Sequence, residues 1–192
     1  MADTKEAVSL RQLYQMGAAA KGRISRIYLH WTAGHYGQTF ADYHLNIDSD
    51  GQIYKTCAAL TSRKSHTWRR NTGSIGIALC CAYNASCSAA GKVNLGPEPP
   101  TKLQIEKTAQ AVAVLSLALG FAVDFGTVTT HAEAACMDGY GFGSGDSDMR
   151  WDLLLLPDYP LTDALRPGGV VLRGKANWYR ALYLQRRTQA HT

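Results

Sequence analysis

Three side chains that could bind a metal ion lie far apart in the sequence, each close to an apolar run. His30 stands in YLHW, His131 ends VTTH, and Asp152 follows a glycine-rich loop in MRWD. Two imidazoles and one carboxylate suit Zn²⁺, and a catalytic zinc site needs only three protein ligands because the fourth position is kept for water. Side chains at strand ends converge on one cleft, so the placement permits a metal site. The plainer alternatives are a hydrogen-bonded, half-buried histidine and an aspartate that caps a helix.

The elements that must position these side chains can be predicted from the apolar pattern. Residues 24–31 and 74–81 predict buried strands, and residues 121–130 contain a further strand that leads to His131. Residues 43–47 and 52–56 predict a hairpin, because the letters DSDG between them favour a turn.

Helices are predicted on either side of these strands. Residues 9–20 predict a short amphipathic helix, and residues 102–119 a longer one that Thr101 caps and Gly120 ends. Residues 176–187 predict a closing helix, and residues 84–100 a polar loop. The pattern therefore predicts one α/β domain over residues 1–192, with a central mixed β-sheet flanked by helices.

Composition narrows the classes of partner. The chain has 192 residues, 46% of them hydrophobic, with a formal charge of +5 and a pI near 9.0. A basic balance suits an anionic polymer such as nucleic acid or cell wall. No nucleic-acid-binding motif is recognisable and the basic residues are scattered, so nucleic acid is not an expected partner. The sequence predicts neither a signal peptide nor a membrane span, and it does not predict an oligomeric state.

The cysteines favour no disulfide framework. Their number is odd, at five, and no CxxC pair is present, which also argues against a cysteine-rich zinc finger. Because CCAYNASC brings three of them together, a loop disulfide from Cys87 to Cys80 or Cys81 stays an open alternative.

Four motifs in order carry a family resemblance. The letters HWTAG, YHLNIDSDGQIYK, SHTWRRNTGSIGIAL and THAEAA follow one another within residues 24–157, which is most of the chain. With these motifs the sequence resembles the zinc-dependent N-acetylmuramoyl-L-alanine amidases, a family that includes phage endolysins, bacterial recycling amidases and peptidoglycan recognition proteins. The resemblance implies the α/β fold of this family and a zinc cofactor. It also implies hydrolysis of the amide bond between N-acetylmuramic acid and L-alanine of peptidoglycan.

The resemblance also implies a ligand set. His30 and His131 match the family's histidine ligands, and Asp152 matches the third because it stands two residues after a basic residue, Arg150. The segment between His131 and Asp152 is longer than is usual in the family. Other side chains in and around that segment therefore remain alternatives for the third ligand: Cys136, Asp138, Asp146 and Asp148.

Catalytic roles follow by the same resemblance. Arg150, where many relatives carry lysine, is expected to stabilise the oxyanion, and Tyr43 to help position water. Some relatives have a glutamate as general base where this chain has Ala78. The alternatives for the proton acceptor are Tyr43 through water, Glu133 (expected on the same strand face as His131), and no dedicated base.

A substrate groove is expected beside the SHTW motif. His66, Trp68, Arg69 and Arg70 are predicted to line the groove that receives the muropeptide, with a cationic surface loop as the alternative for the last three. A non-catalytic peptidoglycan-binding module is the rival function. We expect the protein to be made in the cytoplasm and to reach the cell wall after release by a lysis or secretion system.

Overall fold

A six-stranded mixed sheet forms the centre of the molecule in a computed structural model that describes residues 5–159, 161 and 164–189. Its strands lie in the order β1-β4-β3-β5-β2-β8, with β2, β3, β5 and β8 parallel and β1 and β4 antiparallel to their neighbours. The strands are β1 (Glu6–Ala7), β2 (Arg26–Trp31), β3 (Leu45–Ile47), β4 (Ile53–Lys55), β5 (Ser74–Leu79) and β8 (Val128–Thr130). Two small hairpins pair β6 (Ser86–Cys87) with β7 (Val93–Asn94), and β9 (Leu155–Pro157) with β10 (Leu165–Pro167).

Four helices accompany the sheet. They are α1 (Leu10–Ala20), α2 (Lys102–Leu119), α3 (His131–Met137) and α4 (Gly168–Gln189). The first three begin with a capping box, in which a serine or threonine before the helix and a Gln or Glu three residues later satisfy each other's backbone N–H groups. Helix α2 packs between α1 and α4 and against β5, so it lies at the centre of the apolar core.

The two faces of the sheet differ in chemistry. Alternate residues of β2, β3 and β5 join the apolar core together with α2, and we call this the helix-covered face. It includes Ile27, Leu29, Leu45, Ile47, Ile75 and Ile77. The residues between them face a loop, 65–71, and form the loop-covered face. Its members in β2 and β5 are Tyr28, His30, Ser74, Gly76 and Ala78.

Most of the predicted elements are confirmed. The mixed sheet, the hairpin around the DSDG turn, and the helices at the predicted positions are all present, and α2 has the predicted bounds, with Thr101 as its cap. The closing helix starts at Gly168 rather than at residue 176, because glycines in the first turn weaken a helix signal. The predicted polar loop 84–100 contains the β6–β7 hairpin.

Two further predictions concern single residues. His131 begins a helix rather than continuing a strand, so the expected strand position of Glu133 is wrong. The five cysteines all lie in the described part of the chain, and each has a free thiol, so the alternative of a disulfide from Cys87 is wrong as well. Among the described residues, no helix combines the length and the apolar character needed to cross a membrane.

Candidate metal centre and active site

The three predicted ligands meet at the end of the sheet. His30 Nδ1 lies 3.1 Å from His131 Nδ1 and 3.1 Å from Asp152 Oδ2, and His131 Nδ1 lies 3.1 Å from Asp152 Oδ1. All three residues are buried, with exposed fractions of 0%, 8% and 8%. Within the described residues this is the one group of three or more histidine, cysteine or acidic side chains with metal-binding geometry.

The geometry of this triad fits a tetrahedral metal ion. Ligand atoms about 2.0–2.1 Å from zinc lie about 3.3 Å apart in a regular tetrahedron, and the observed edges of 3.1 Å are close to that value. Two imidazole nitrogens and a carboxylate point at one place. When both nitrogens are unprotonated, all of these atoms are hydrogen-bond acceptors, and no proton is available for the contacts between them. A cation at that point satisfies all three, so the donor set fits the group that the resemblance implies.

The electrostatics favour the metal-binding forms of His30 and Asp152. Burial is the largest cause that lowers the pKa of His30, to about 4, so its imidazole is neutral at neutral pH. Burial alone would raise the pKa of Asp152. The two neighbouring histidines, chiefly His131, outweigh this and hold that pKa well below its usual range, so Asp152 is ionised.

Three different elements bring the triad together. His30 lies near the end of β2, His131 is the first residue of α3 after β8, and Asp152 precedes β9. The backbone N–H of Ala132 donates to the carbonyl of Asp152, which joins α3 to the segment that carries the carboxylate. Leu153, directly after Asp152, is fully buried with φ of 60°, a strained conformation for a branched side chain.

Each histidine turns its second ring nitrogen toward a hydroxyl. His30 Nε2 lies 3.3 Å from Thr67 Oγ1, and His131 Nε2 lies 3.5 Å from the hydroxyl of Tyr140. Such outer contacts orient a ligand ring and fix which nitrogen carries the proton. Both Nδ1 atoms therefore face the centre of the triad.

An open cleft of about 870 Å³ reaches the triad. His131 and Asp152 lie in its wall, together with the predicted residues Tyr43, His66 and Trp68. Arg150 lines the same cleft, and its guanidinium donates to the backbone carbonyls of Asp148 and Met149. The volume is within the range of ligand-binding clefts.

Tyr43 lies close to the triad, with its ring centroid 5.0 Å from that of His30. Burial and, next, the charge of Asp152 raise the pKa of its phenol well above the ordinary value. The phenol is therefore protonated at neutral pH and is able to donate a hydrogen bond.

The other three residues of the predicted groove, after His66, differ in their contacts. Trp68 is 54% exposed, lines the cleft and packs edge-on against Tyr140. Arg69 lies over the Trp68 ring, 4.2 Å from its centroid to the guanidinium carbon, and is not among the residues of the cleft wall. Arg70 donates to both carboxylate oxygens of Asp138, at 2.6 and 2.7 Å, and therefore holds two loops together outside the cleft.

Glu133 is held away from the cleft by two sets of contacts. Its carboxylate accepts from the backbone N–H of Thr130 in the capping box and from both guanidinium nitrogens of Arg173, each at 2.8 Å. It does not line the cleft. Ala78 pairs in register with His30 and is fully buried, so the position carries no proton acceptor beside the triad.

The alternatives for the third ligand lie apart from the triad. Cys136 is exposed on α3, and Asp138 pairs with Arg70. Asp146 and Asp148 line the cleft, but neither belongs to the described cluster of metal-binding geometry.

Two residues with contacts to the ligands were missed in the sequence. Thr67 stands next to His66 in the SHTW motif, so its position between two predicted groove residues could have indicated that it lies near the site. Tyr140 stands in a glycine-rich loop with no periodic pattern, and only the folded chain brings it to His131.

The fold and the site together define the class: an α/β protein whose open cleft ends at a triad able to bind a metal ion. The sequence model of the N-acetylmuramoyl-L-alanine amidase family matches residues 20–144, or 125 of the 192 residues. The chain belongs to this family. The activity of the protein is therefore hydrolysis of the amide bond between N-acetylmuramic acid and L-alanine in peptidoglycan. The match includes His30 and His131 and ends before Arg150 and Asp152.

Two solved structures show a distant similarity. The endolysin N-acetylmuramoyl-L-alanine amidase LysCS from Clostridium intestinale is 18% identical over 58% of this chain and 71% of that chain, with a TM-score of 0.43. The Ph2119 endolysin from a Thermus scotoductus bacteriophage is 20% identical over 58% of this chain and 73% of that chain, with a TM-score of 0.40. No curated protein has a sequence that matches this chain.

Proposed function

We propose that His30, His131 and Asp152 hold Zn²⁺ and that the protein hydrolyses peptidoglycan as a zinc-dependent amidase. The observation that carries the proposal is the triangle of 3.1 Å edges between two Nδ1 atoms and one carboxylate, at the end of an open cleft. When bound at such a site, zinc lowers the pKa of a water molecule toward 7 and polarises a carbonyl.

Tyr43 is proposed to position the reacting water and carbonyl. Its phenol stays protonated because burial raises its pKa, so it donates a hydrogen bond to an oxygen held at the triad. Its ring lies 5.0 Å from that of His30, centroid to centroid, and the residue lines the cleft that reaches the triad.

Arg150 is proposed to stabilise the negative charge that develops on the carbonyl oxygen. The guanidinium is always charged and cannot give up a proton, so its role is electrostatic rather than acidic. Its hydrogen bonds to two backbone carbonyls of its own loop limit the range of positions of the side chain.

Neither of the two positions considered for a glutamate base, residues 78 and 133, supplies one beside the triad. Ala78 has no acceptor and the carboxylate of Glu133 is held by Arg173, so neither can take a proton from water in the cleft. A general base typically contributes about 10²–10⁴ in rate. We therefore expect slower turnover than in relatives that carry glutamate at this position.

The proposed substrate contacts are fewer than the sequence predicts. The exposed ring of Trp68 is proposed to pack against the sugar or aliphatic part of a muropeptide, and Arg69, which lies over that ring, restrains it. Arg70 is paired with Asp138 and is therefore not assigned to the stem-peptide carboxylates.

The biological setting proposed is cell-wall degradation after release by a lysis or secretion system. Both similar structures are named endolysins, and the activity on peptidoglycan agrees with such a role. Fractionation of expressing cells before and after lysis would locate the protein in the cytoplasm first and on sacculi afterwards.

Metal analysis combined with muropeptide digestion tests the proposal. The wild type should hold one zinc ion and release peptides from purified sacculi. His131→Ala and Asp152→Ala should each lose zinc and lose activity by more than the roughly 10–100-fold that removal of an outer contact causes.

The matched control is His35→Ala. His35 pairs with Glu98 and stacks on Tyr83 outside the cleft, so this variant should keep zinc and activity. Full zinc and full activity in Asp152→Ala would contradict the ligand assignment. Binding to sacculi without release of peptides by the wild type would favour the non-catalytic binding module.

A further inference from the structure

A chain of hydrogen bonds leads from His30 through the loop-covered face to a backbone carbonyl. His30 Nε2 lies 3.3 Å from Thr67 Oγ1, and Thr67 Oγ1 lies 2.9 Å from His66 Nδ1. His66 Nε2 lies 3.4 Å from Ser74 Oγ, and the Ser74 hydroxyl donates to the carbonyl of Arg70 at 2.7 Å. The four side chains that form this series of hydrogen bonds are all buried, so water competes little for their donors and acceptors.

The carbonyl at the far end gives the chain a direction. A carbonyl only accepts, so the Ser74 hydroxyl uses its one proton there and must accept from His66 Nε2–H. The unprotonated Nδ1 of His66 then accepts from the Thr67 hydroxyl, which in turn accepts from His30 Nε2–H. Nδ1 of His30 is left without a proton, and it is the nitrogen that faces His131 and Asp152.

The position of the His66 ring depends on the glycine at residue 76 of β5. A Cβ atom on Gly76 would lie 2.6 Å from His66 Cγ, so the imidazole can lie against β5 only because residue 76 is glycine. Burial, followed by the neighbouring His30, lowers the pKa of His66 to about 2, so this ring stays neutral and can accept at Nδ1.

We infer that Thr67 and His66 are positioning residues that fix the tautomer and ring orientation of His30, so that its Nδ1 is held ready for the metal ion. The inference rests on the proposed zinc site and adds a role for two residues that do not touch the metal. It also gives His66, which lines the cleft as predicted for the groove, a structural link to the ligand His30.

Removing the hydroxyl of Thr67 should weaken metal binding. In Thr67→Val the Nε2–H of His30 loses its buried acceptor, which favours the tautomer with the proton on Nδ1, where the metal should bind. We expect the zinc dissociation constant, measured by competition with a chelator, to rise about 10–100-fold. Thr67→Ser restores the hydroxyl and should therefore avoid most of this loss and return the constant close to the wild-type value.

A second buried threonine provides the matched control. Thr108 donates to the carbonyl of Gln104 inside α2, a helix that carries no residue of the triad or of the hydrogen-bond chain, so Thr108→Val should leave the zinc dissociation constant unchanged. Melting temperatures of all variants, measured without metal, separate a loss of folding from a loss of metal affinity.

A double-mutant cycle distinguishes one chain from two independent contacts. His66→Phe keeps a ring against Gly76 but removes the acceptor for Thr67, so it should weaken zinc binding about 10-fold or more. If the two residues act in series, the variant with both changes should bind zinc about as weakly as Thr67→Val alone.

The outcomes separate this inference from the proposed function. A wild type that holds no zinc would overturn both. A wild type that binds zinc through the triad, with unchanged zinc affinity in Thr67→Val, would overturn the positioning role alone. Fold losses that multiply in the double variant would show independent contacts and would also overturn it.

Discussion

The two faces of the central sheet are equally well buried, yet they are built for different tasks. The helix-covered face holds branched aliphatic side chains under α2, and any similar set of the same volume would fill that space. The loop-covered face holds His30, Ser74 and Gly76 under the His66 ring, where each polar atom needs one particular partner. Stability therefore depends mainly on the first face, and metal binding on the second.

Consecutive residues of β5 allow this comparison within one strand. Ile75 and Ile77 point to the helices, whereas Gly76 and Ala78 point to the loop and lie beside the site. Substitutions at neighbouring positions should thus have effects of different kinds, although both positions are fully buried.

The largest effect on stability is expected for Ile77→Ala on the helix-covered face. The side chain is fully buried between Leu29 and Leu45, and its truncation leaves a cavity that costs about 2–5 kcal/mol of unfolding free energy. Urea unfolding measures this loss. Zinc affinity should stay unchanged at temperatures where the variant is folded; a weakened metal site would remove the distinction between the faces.

A smaller effect on stability, with a large effect on the site, is expected for Gly76→Ala. The new methyl group meets the His66 ring at 2.6 Å, and overpacking of this kind costs about 1–3 kcal/mol. The displaced ring can no longer hold Thr67, so zinc affinity should fall about 10–100-fold. Titration with a chelator and urea unfolding give the two values, and a variant with normal zinc affinity would show that His66 has no role in holding His30.

The smallest expected effect is on the pH dependence of stability and involves His44. Burial lowers the pKa of His44 on the loop-covered side to about 4, below its ordinary value of 6.5. Between these values the unfolded chain binds a proton that the folded chain does not, so stability falls as pH drops from about 6.5 to about 4. The slope is about 1.4 kcal/mol per pH unit for one such histidine.

His44→Gln tests this slope. Metal-free protein, kept so by a chelator, is unfolded in urea at about pH 7 and about pH 5. The variant loses the acceptor for Gly76 N–H and should be less stable at the higher pH, but it should lose less stability on acidification than the wild type does. An equal loss in both proteins would mean that His44 titrates alike in the folded and unfolded chain.

The elements of the helix-covered face could be predicted because their signals are local. The apolar runs and the capping box of Thr101 define α2 and the central strands without any knowledge of distant contacts. The same kind of local signal was available for Glu133, since Thr130 and Glu133 have capping-box spacing. The predicted strand was extended past His131, so the capping-box spacing was overlooked and Glu133 was assigned a strand position that it does not have.

The site could be predicted only with the family resemblance. His30 and Asp152 are 122 residues apart, and no periodicity relates them. The contacts of Tyr140 and the pairing of Arg70 with Asp138 depend on how loops cross one another, so residue types alone did not reveal them. Residue types do indicate the chemistry at each position, but the partner that uses it is set by the tertiary fold.

The most direct test of the central claim is an anomalous difference map at the zinc edge from crystals grown with zinc. We predict a single strong peak bonded to Nδ1 of His30, Nδ1 of His131 and the carboxylate of Asp152, with no fourth protein side chain. A peak bonded to other residues, a fourth protein ligand, or no peak at the triad would contradict the account.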